Sequence, residues 1–172
     1  FGSAHRAHAS TEGVTKYIKT SASGYLMQKE LDYLGKAVAE PQRPFVAILG
    51  GAKISGKIDV IENLLPKVDT LIVGGGMAFT FYKAMGKEIG KSLLEEDKIE
   101  MAKAILEKAK SSKVNFLLPV DMVVAGEFAA EAASEVVSVD AIPADKMGLD
   151  IGPATISLFK EAVLSSKTVV WN

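Results

Sequence analysis

Two stretches decide the fold: FVAILGGAKISGK at residues 45–57 and TLIVGGGMAFTF at residues 70–81. Each begins with a short apolar run that ends at consecutive glycines. Such a run is typical of a strand buried on both faces. Between the two runs, apolar residues recur at helical spacing, namely Ile54, Ile58, Ile61, Leu64 and Leu65. The order strand, glycine turn, helix, strand predicts a βαβ unit with parallel strands.

The rest of the chain continues this alternation. The pattern predicts helices near 77–85, near 95–110 and over 153–165, and strands at 114–118, near 135–139 and at 168–171. Residues 147–152 are predicted to form a turn before the last of these helices, where Pro153 suits the first helical position. We therefore expect an α/β fold with a doubly wound, Rossmann-like parallel sheet in a three-layer α/β/α arrangement.

A further helix is predicted upstream, over residues 25–39, because an apolar stripe runs along it and ends before two prolines. The stripe contains Leu26, Leu31, Leu34 and Val38, and the prolines are Pro41 and Pro44. We expect this helix to connect two domains, with residues 1–20 ending the first, 21–44 forming the helix and linker, and 45–172 belonging to the second. The chain opens at Phe1 and stops after a strand-like run, which we interpret as a fragment cut at both ends.

The composition narrows the classes of partner. The 172 residues are 48% hydrophobic, carry a formal net charge of -1 and include no cysteine. A near-neutral chain offers no basic face for nucleic acid or for a membrane surface. No apolar run approaches the roughly 20 residues of a membrane helix, and thiolate metal sites and disulfides are excluded. Small-molecule partners and a cytoplasmic location are the expectation.

The strongest chemical signal is a pair of lysines, Lys53 and Lys57, directly after the first strand and the turn Gly50-Gly51. If the helix begins near Ile54, the two lysines share the face of its first turn. Glycines, unpaired helix N–H groups and two ammonium groups together favour a phosphate site. A glycine turn before a solvated helix explains the same pattern equally well. The spacing is not that of a P-loop.

Weaker signals lie elsewhere in the chain. Residues 74–76 are three glycines after the second strand, which would leave a flat surface for a planar base, although a tight turn needs the same residues. His5 and Arg6 are basic neighbours that could hold a carboxylate or phosphate, or form an ordinary surface turn. Asp121 and the acidic run at 95–97 suggest helix capping or a solvated surface. No metal-ligand spacing is present.

Strings spread along the whole chain resemble the phosphoglycerate kinase family and occur in that family's order. They are Ala4-His5-Arg6-Ala7-His8-Ala9-Ser10-Thr11, Gly24-Tyr25-Leu26-Met27-Gln28-Lys29-Glu30-Leu31, Leu49-Gly50-Gly51-Ala52-Lys53, Gly74-Gly75-Gly76-Met77-Ala78-Phe79-Thr80-Phe81, Leu118-Pro119-Val120-Asp121, Met147-Gly148-Leu149-Asp150-Ile151-Gly152-Pro153 and Val170-Trp171-Asn172. The resemblance implies a truncated two-domain hinge kinase, monomeric when complete. It would transfer a phosphoryl group reversibly between 1,3-bisphosphoglycerate and ADP, giving 3-phosphoglycerate and ATP, with Mg²⁺ carried by the nucleotide.

The resemblance also implies roles for individual residues. Lys53 and Arg6 would be catalytic, and His5 with Arg6 would bind the phosphoglycerate. Lys53 would stabilise the transferring phosphoryl group, and Lys57 would contact nucleotide phosphates. The implied nucleotide contacts are Gly51, Ala52, Lys53, Lys57, Gly74, Gly75, Gly76, Gly148, Leu149 and Asn172.

Two departures limit what this chain should do. Ser55-Gly56 stand between the lysines where some members of the family carry an acidic residue, and the family's other phosphate-binding segments would lie outside the chain. We therefore expect the isolated chain to be inactive. A non-catalytic nucleotide-binding fragment is the alternative. A dinucleotide-dependent oxidoreductase is disfavoured because the G-x-G-x-x-G fingerprint and its later acidic residue are missing.

Overall fold

The computed structural model describes residue 4 and residues 7–172. The chain divides into two compact units, Phe1–Gln42 and Arg43–Asn172. His5 and Arg6 lie outside the described residues, so their predicted roles stay predictions. The expected division into parts at 1–20, 21–44 and 45–172 likewise stays a prediction.

The first unit contains a 3₁₀ turn, Gly13–Lys16, and one long helix, α1 (Tyr25–Ala39). The helix has the bounds that the sequence predicts, since Gly24 precedes it in extended conformation and Glu40 and Pro41 follow it. The Gln28 amide donates to Asp32 one turn later, at 2.8 Å. None of the residues of α1 is buried within this structure.

The second unit is an α/β structure built on a four-stranded parallel sheet. Its strands are β1 (Phe45–Leu49), β2 (Thr70–Val73), β3 (Asn115–Leu117) and β7 (Thr168–Trp171). The order across the sheet is β3-β2-β1-β7. The chain thus moves outward from β1 to β3 and then returns to add β7 on the opposite side of β1. This reversal confirms the doubly wound type and places its topological switch point between β1 and β7.

Four helices belong to this unit: α2 (Ile58–Leu64), α3 (Met77–Ala84), α4 (Ile99–Ser111) and α5 (Pro153–Leu164). Alternate residues of β1, Phe45, Ala47 and Leu49, are fully buried against apolar side chains of α2, α3 and α4. Removing these side chains from water is the main stabilisation of the unit, at roughly 1.5–3 kcal/mol for each large one. The helices predicted near 77–85 and over 153–165 and the strand at 168–171 are confirmed with small shifts of their ends.

A second sheet was not predicted. Strands β4 (Asp121–Ala125), β5 (Ser134–Ser138) and β6 (Met147–Ile151) form it, and all its pairs are antiparallel in the order β5-β4-β6. The prediction of a turn at 147–152 was wrong over 147–151, because those residues pair with β4. This pairing is irregular between Val123 and Val124, which lie opposite Asp150 and Gly148.

Within the described residues, no helix is both long enough and apolar enough to cross a membrane.

Candidate functional site

The carboxyl ends of β1, β2 and β7 are joined by backbone hydrogen bonds that continue past the strands. The Gly50 N–H donates to the Asn172 carbonyl and the Gly74 N–H donates to the Leu49 carbonyl, both at 2.9 Å. These are the residues that leave the sheet at and beside its switch point. Open α/β sheets bind ligands at this place, so the fold itself brings the glycine turns and Asn172 together.

Lys57 reaches this edge from the start of α2. Its half-buried ammonium group donates a hydrogen bond to the Asn172 Oδ1, a side chain 115 positions away in sequence. The lysine is thereby held above the ends of β1 and β7. A positive charge fixed there, beside glycine backbone N–H groups, is suited to an anionic oxygen.

Lys53 does not lie on a helix. The prediction that Lys53 and Lys57 share one face of a helical first turn was wrong, because α2 begins only at Ile58 and residues 51–57 form a turn. Ser55 and Gly56 are poor helix formers, and the Ser55 N–H is used outside the helix. Lys53 is exposed, and among residues 43–172 its ammonium group forms no ion pair within 4 Å.

A carboxylate from a distant segment holds this turn. Glu95 accepts hydrogen bonds from the Ser55 N–H at 3.1 Å and from the Ser55 hydroxyl at 2.5 Å. Partial burial raises the pKa of Glu95, but the Ser55 hydroxyl, the N–H groups of Ser55 and Ile54 and the Lys53 charge lower it further, so the net pKa is below its usual value. Glu95 is therefore ionised at neutral pH, close enough to Lys53 to feel its charge.

The two glycine turns are packed directly against each other. Gly75 has a φ of +69°, and a Cβ added to it would lie 2.8 Å from the Gly51 carbonyl oxygen. Only glycine suits that backbone conformation and that approach. The Met77 N–H also donates to the Gly51 carbonyl at 3.0 Å. The predicted triple-glycine turn at 74–76 thus forms one surface with the turn that carries Lys53.

A narrow cleft of about 60 Å³ opens beside this surface. It is lined by Gly75, Gly76, Phe79, Met122, Gly148, Leu149, Asp150 and Ile151. It is smaller than typical small-molecule sites, which span about 300–1,000 Å³. A Cβ at Gly148 would overlap the Cζ of Phe79 and lie 2.9 Å from its Cε1, so strand β6 can approach α3 only through glycine. Flat backbone on two sides and apolar side chains at the base fit a planar ring.

The far end of β6 is held by a helix cap. Asp121 accepts hydrogen bonds from the Ala154 and Thr155 N–H groups at 2.9 and 2.8 Å, at the start of α5. The buried Thr155 hydroxyl lies 2.5 Å from the same carboxylate. Partial burial raises the pKa of Asp121, but these hydrogen bonds lower it further, and the net pKa is below its usual value. The predicted capping role of Asp121 is confirmed.

Comparison with known proteins decides the family. The family model for phosphoglycerate kinase matches residues 1–172, the whole chain. The chain belongs to the phosphoglycerate kinase family. The phosphoglycerate kinase of Chloroherpeton thalassium is 64% identical over all 172 residues, and the cytosolic phosphoglycerate kinase of Triticum aestivum is 62% identical over the same length. The chain spans 43% of the length of each of these relatives.

The fold agrees with this assignment. The solved structure of phosphoglycerate kinase from Coxiella burnetii superposes with a TM-score of 0.89 at 45% identity, covering 99% of this chain and 44% of that one. The family is one of transferases of the kinase class, and the dinucleotide-dependent oxidoreductase considered from the sequence is set aside.

Most residues proposed from the sequence of this phosphoglycerate kinase family member come together at one edge of the sheet. Lys57 and Asn172 are hydrogen-bonded, and the turns at 51–53 and 74–76 are in contact. Gly148 and Leu149 lie across the cleft from Gly75 and Gly76. Within the described residues, no group of three or more His, Cys, Asp or Glu side chains is arranged to hold a metal ion.

The sequence analysis did not identify two residues that hydrogen-bond to the segments forming this edge. Glu95 appeared only as part of an acidic run interpreted as helix capping or a solvated surface, although it contacts a residue 40 positions earlier. Ser92, which accepts a hydrogen bond from the Gly148 N–H at 2.9 Å, carried no signal at all. Both act on backbone groups far away in sequence, which leaves no local pattern to detect.

Proposed function

We propose that the complete protein containing this chain catalyses reversible phosphoryl transfer between 1,3-bisphosphoglycerate and ADP, giving 3-phosphoglycerate and ATP. In the reverse direction the acceptor is a carboxyl group, which makes the enzyme a carboxyl-directed phosphotransferase. The observation that carries the proposal is the pairing of Lys57 with Asn172 at the switch point, beside the glycine turn of Lys53. Family membership supports the same reading.

Different residues at this edge are proposed to contact different parts of the nucleotide. The cleft lined by Gly75, Gly76, Gly148 and Leu149 is the proposed place of the adenine ring. Asn172 and Lys57 suit the phosphate chain, and the backbone of Gly51 and Ala52 is proposed to contact the nucleotide as well. Mg²⁺ bound to the nucleotide phosphates would supply further neutralisation of their charge when present.

Lys53 is the proposed catalytic lysine of this chain. Phosphoryl transfer depends on positioning and on stabilising the charge of the transferring group, and it needs no general base when the acceptor is already anionic. An exposed ammonium group on a turn beside the phosphate-binding edge can provide that charge. His5 and Arg6 are proposed to contact the phosphoglycerate. A monomeric enzyme in the cytoplasm is proposed as well, the location being supported by the cytosolic relative from Triticum aestivum.

The test uses a chimera in which these 172 residues replace the matching segment of the Chloroherpeton thalassium relative. ATP formation from ADP and 1,3-bisphosphoglycerate is followed with and without added Mg²⁺. We expect Mg²⁺-dependent turnover within about tenfold of that of the unmodified relative. A folded chimera that binds MgADP but does not transfer the phosphoryl group would contradict the catalytic proposal. That outcome would favour the alternative, a nucleotide-binding segment without catalysis.

A further inference from the structure

The segment at 92–95 contacts three parts of the proposed nucleotide edge. The Ser92 hydroxyl accepts a hydrogen bond from the Gly148 N–H, and Leu93 lies so close to Gly76 that an added Cβ there would be 2.8 Å from its Cδ1. Glu95 then holds Ser55 through two hydrogen bonds. One short segment therefore supports the β6 wall, the triple-glycine turn and the lysine turn.

This segment is itself anchored to the core. The Glu95 N–H donates to the buried Thr80 hydroxyl of α3 at 3.3 Å, and Ser92 is buried. The Glu95 carboxylate is thus attached to an anchored backbone, whereas the turn at 51–57 that it holds is mostly exposed. The carboxylate is a support for the turn and is not carried by it.

We propose that Glu95 is a positioning residue that fixes the turn at 51–57 and thereby sets the place of the Lys53 ammonium group. The proposal rests on the proposed phosphoryl transfer and adds a residue to it. Glu95 does not touch the transferring group. Its carboxylate accepts hydrogen bonds from the Ser55 N–H and the Ser55 hydroxyl, and so restrains the backbone two residues after Lys53 before a ligand arrives.

The charge of Glu95 serves a second purpose. The Glu95 carboxylate lies near Lys53 and attracts its opposite charge, while its two oxygens accept hydrogen bonds from Ser55. Removing the carboxylate would release both the backbone and the side chain of Lys53. A displacement of about 1 Å in a catalytic group can lower a rate by about 10²-fold.

The test is a double-mutant cycle in the chimera. Glu95→Ala should lower kcat at least about tenfold, whereas Glu96→Ala, a matched control at the exposed neighbouring carboxylate, should leave kcat within about twofold. Glu95→Gln keeps an acceptor oxygen for Ser55 and should lose less than Glu95→Ala. If Glu95 acts through Lys53, then adding Glu95→Ala to Lys53→Ala should lower kcat by less than about twofold. Fully additive losses, or an effect of Glu95→Ala no larger than that of Glu96→Ala, would overturn the proposal.

A second measurement separates this proposal from the proposed function. Hydrogen exchange of the Ile54 and Ser55 amides should become at least about tenfold faster in Glu95→Ala and stay unchanged in Glu96→Ala, with equal thermal midpoints for the two variants. Unchanged exchange would show that Glu95 does not hold the turn. If the chimera lacked turnover but exchange rose as expected, the proposed function would fail while the support of the turn by Glu95 would stand.

Discussion

The ammonium group of Lys57 and the side-chain oxygen of Asn172 are hydrogen-bonded across the switch point of the sheet. The two residues follow the first and the last strands of the unit, so this side-chain contact adds to the backbone hydrogen bonds that join the ends of β1 and β7. The amide oxygen fixes the lysine without neutralising it. The lysine therefore keeps its full charge for a ligand, which an ion pair with a carboxylate would not allow.

Replacing Lys57 should weaken nucleotide binding. Lys57→Ala would remove the proposed charge-assisted hydrogen bond to phosphate, and hydrogen bonds to charged groups contribute about 1.5–3 kcal/mol, which corresponds to a loss of about 10- to 150-fold in MgADP affinity. Asn172→Ala leaves the lysine charge in place and should cost less. Isothermal titration of the chimera with MgADP measures both. Equal affinities for the parent and Lys57→Ala would remove Lys57 from the site.

Lys53 should affect the rate more than the affinity. Lys53→Ala in the chimera should lower kcat by about 10²–10³, as expected when one contact to the transition state is lost, while the KM for nucleotide changes by less than about fivefold. Lys103→Ala, at an exposed lysine of α4 paired with Glu100, is the matched control. A steady-state assay with both substrates varied separates the two constants. An unchanged kcat would show that Lys53 is not catalytic.

Local sequence was sufficient to predict the parallel sheet but not the antiparallel sheet formed by β4, β5 and β6. Strands β1 and β2 are continuous apolar runs that end at glycines, and α1 ends before prolines, so neighbouring residues define each of them. Strand β6 contains Gly148 and Asp150, which are typical of turns, and its pairing with β4 depends on residues far away in sequence. The glycine is required by the ring of Phe79, a tertiary contact that no local pattern records.

The candidate site divides in the same way. The glycine turns and Lys57 were proposed from motifs at strand ends, where the fold rule for ligand sites applies, whereas Asn172 was proposed only from the family resemblance. The start of α2 was placed too early, since the apolar spacing of Ile54 continues that of the helix although Ile54 is buried in a turn. Ser55 is instead hydrogen-bonded to Glu95, 40 residues later, in a turn that precedes the helix.

Gly148 should tolerate no side chain. In Gly148→Ala the added methyl group would overlap the Phe79 ring, which would have to move into the cleft, so we expect a loss of about 1–3 kcal/mol in stability and weaker MgADP binding. Gly126→Ala is the control, because nothing lies within 4 Å of a Cβ added there. Adding Phe79→Leu to Gly148→Ala should restore part of the stability. Thermal midpoints and MgADP titrations measure the two effects, and an unaffected Gly148→Ala variant would contradict the packing described.

The Asp121 cap should make stability depend on pH in the acidic range. The pKa of Asp121 is lowered in the folded state, so the folded protein binds this proton less readily than the unfolded chain does, whose Asp pKa is about 3.9. The stabilisation is therefore present above that value and is lost as the pH falls through the lower folded pKa.

Asp121→Asn keeps an acceptor but cannot ionise, and a lost cap typically costs about 0.5–2 kcal/mol. We expect the parent chimera to have the higher thermal midpoint at pH 7 and the gap to Asp121→Asn to narrow steadily below about pH 4. A gap that stays constant down to pH 3 would mean that the ionised carboxylate does not stabilise the start of α5.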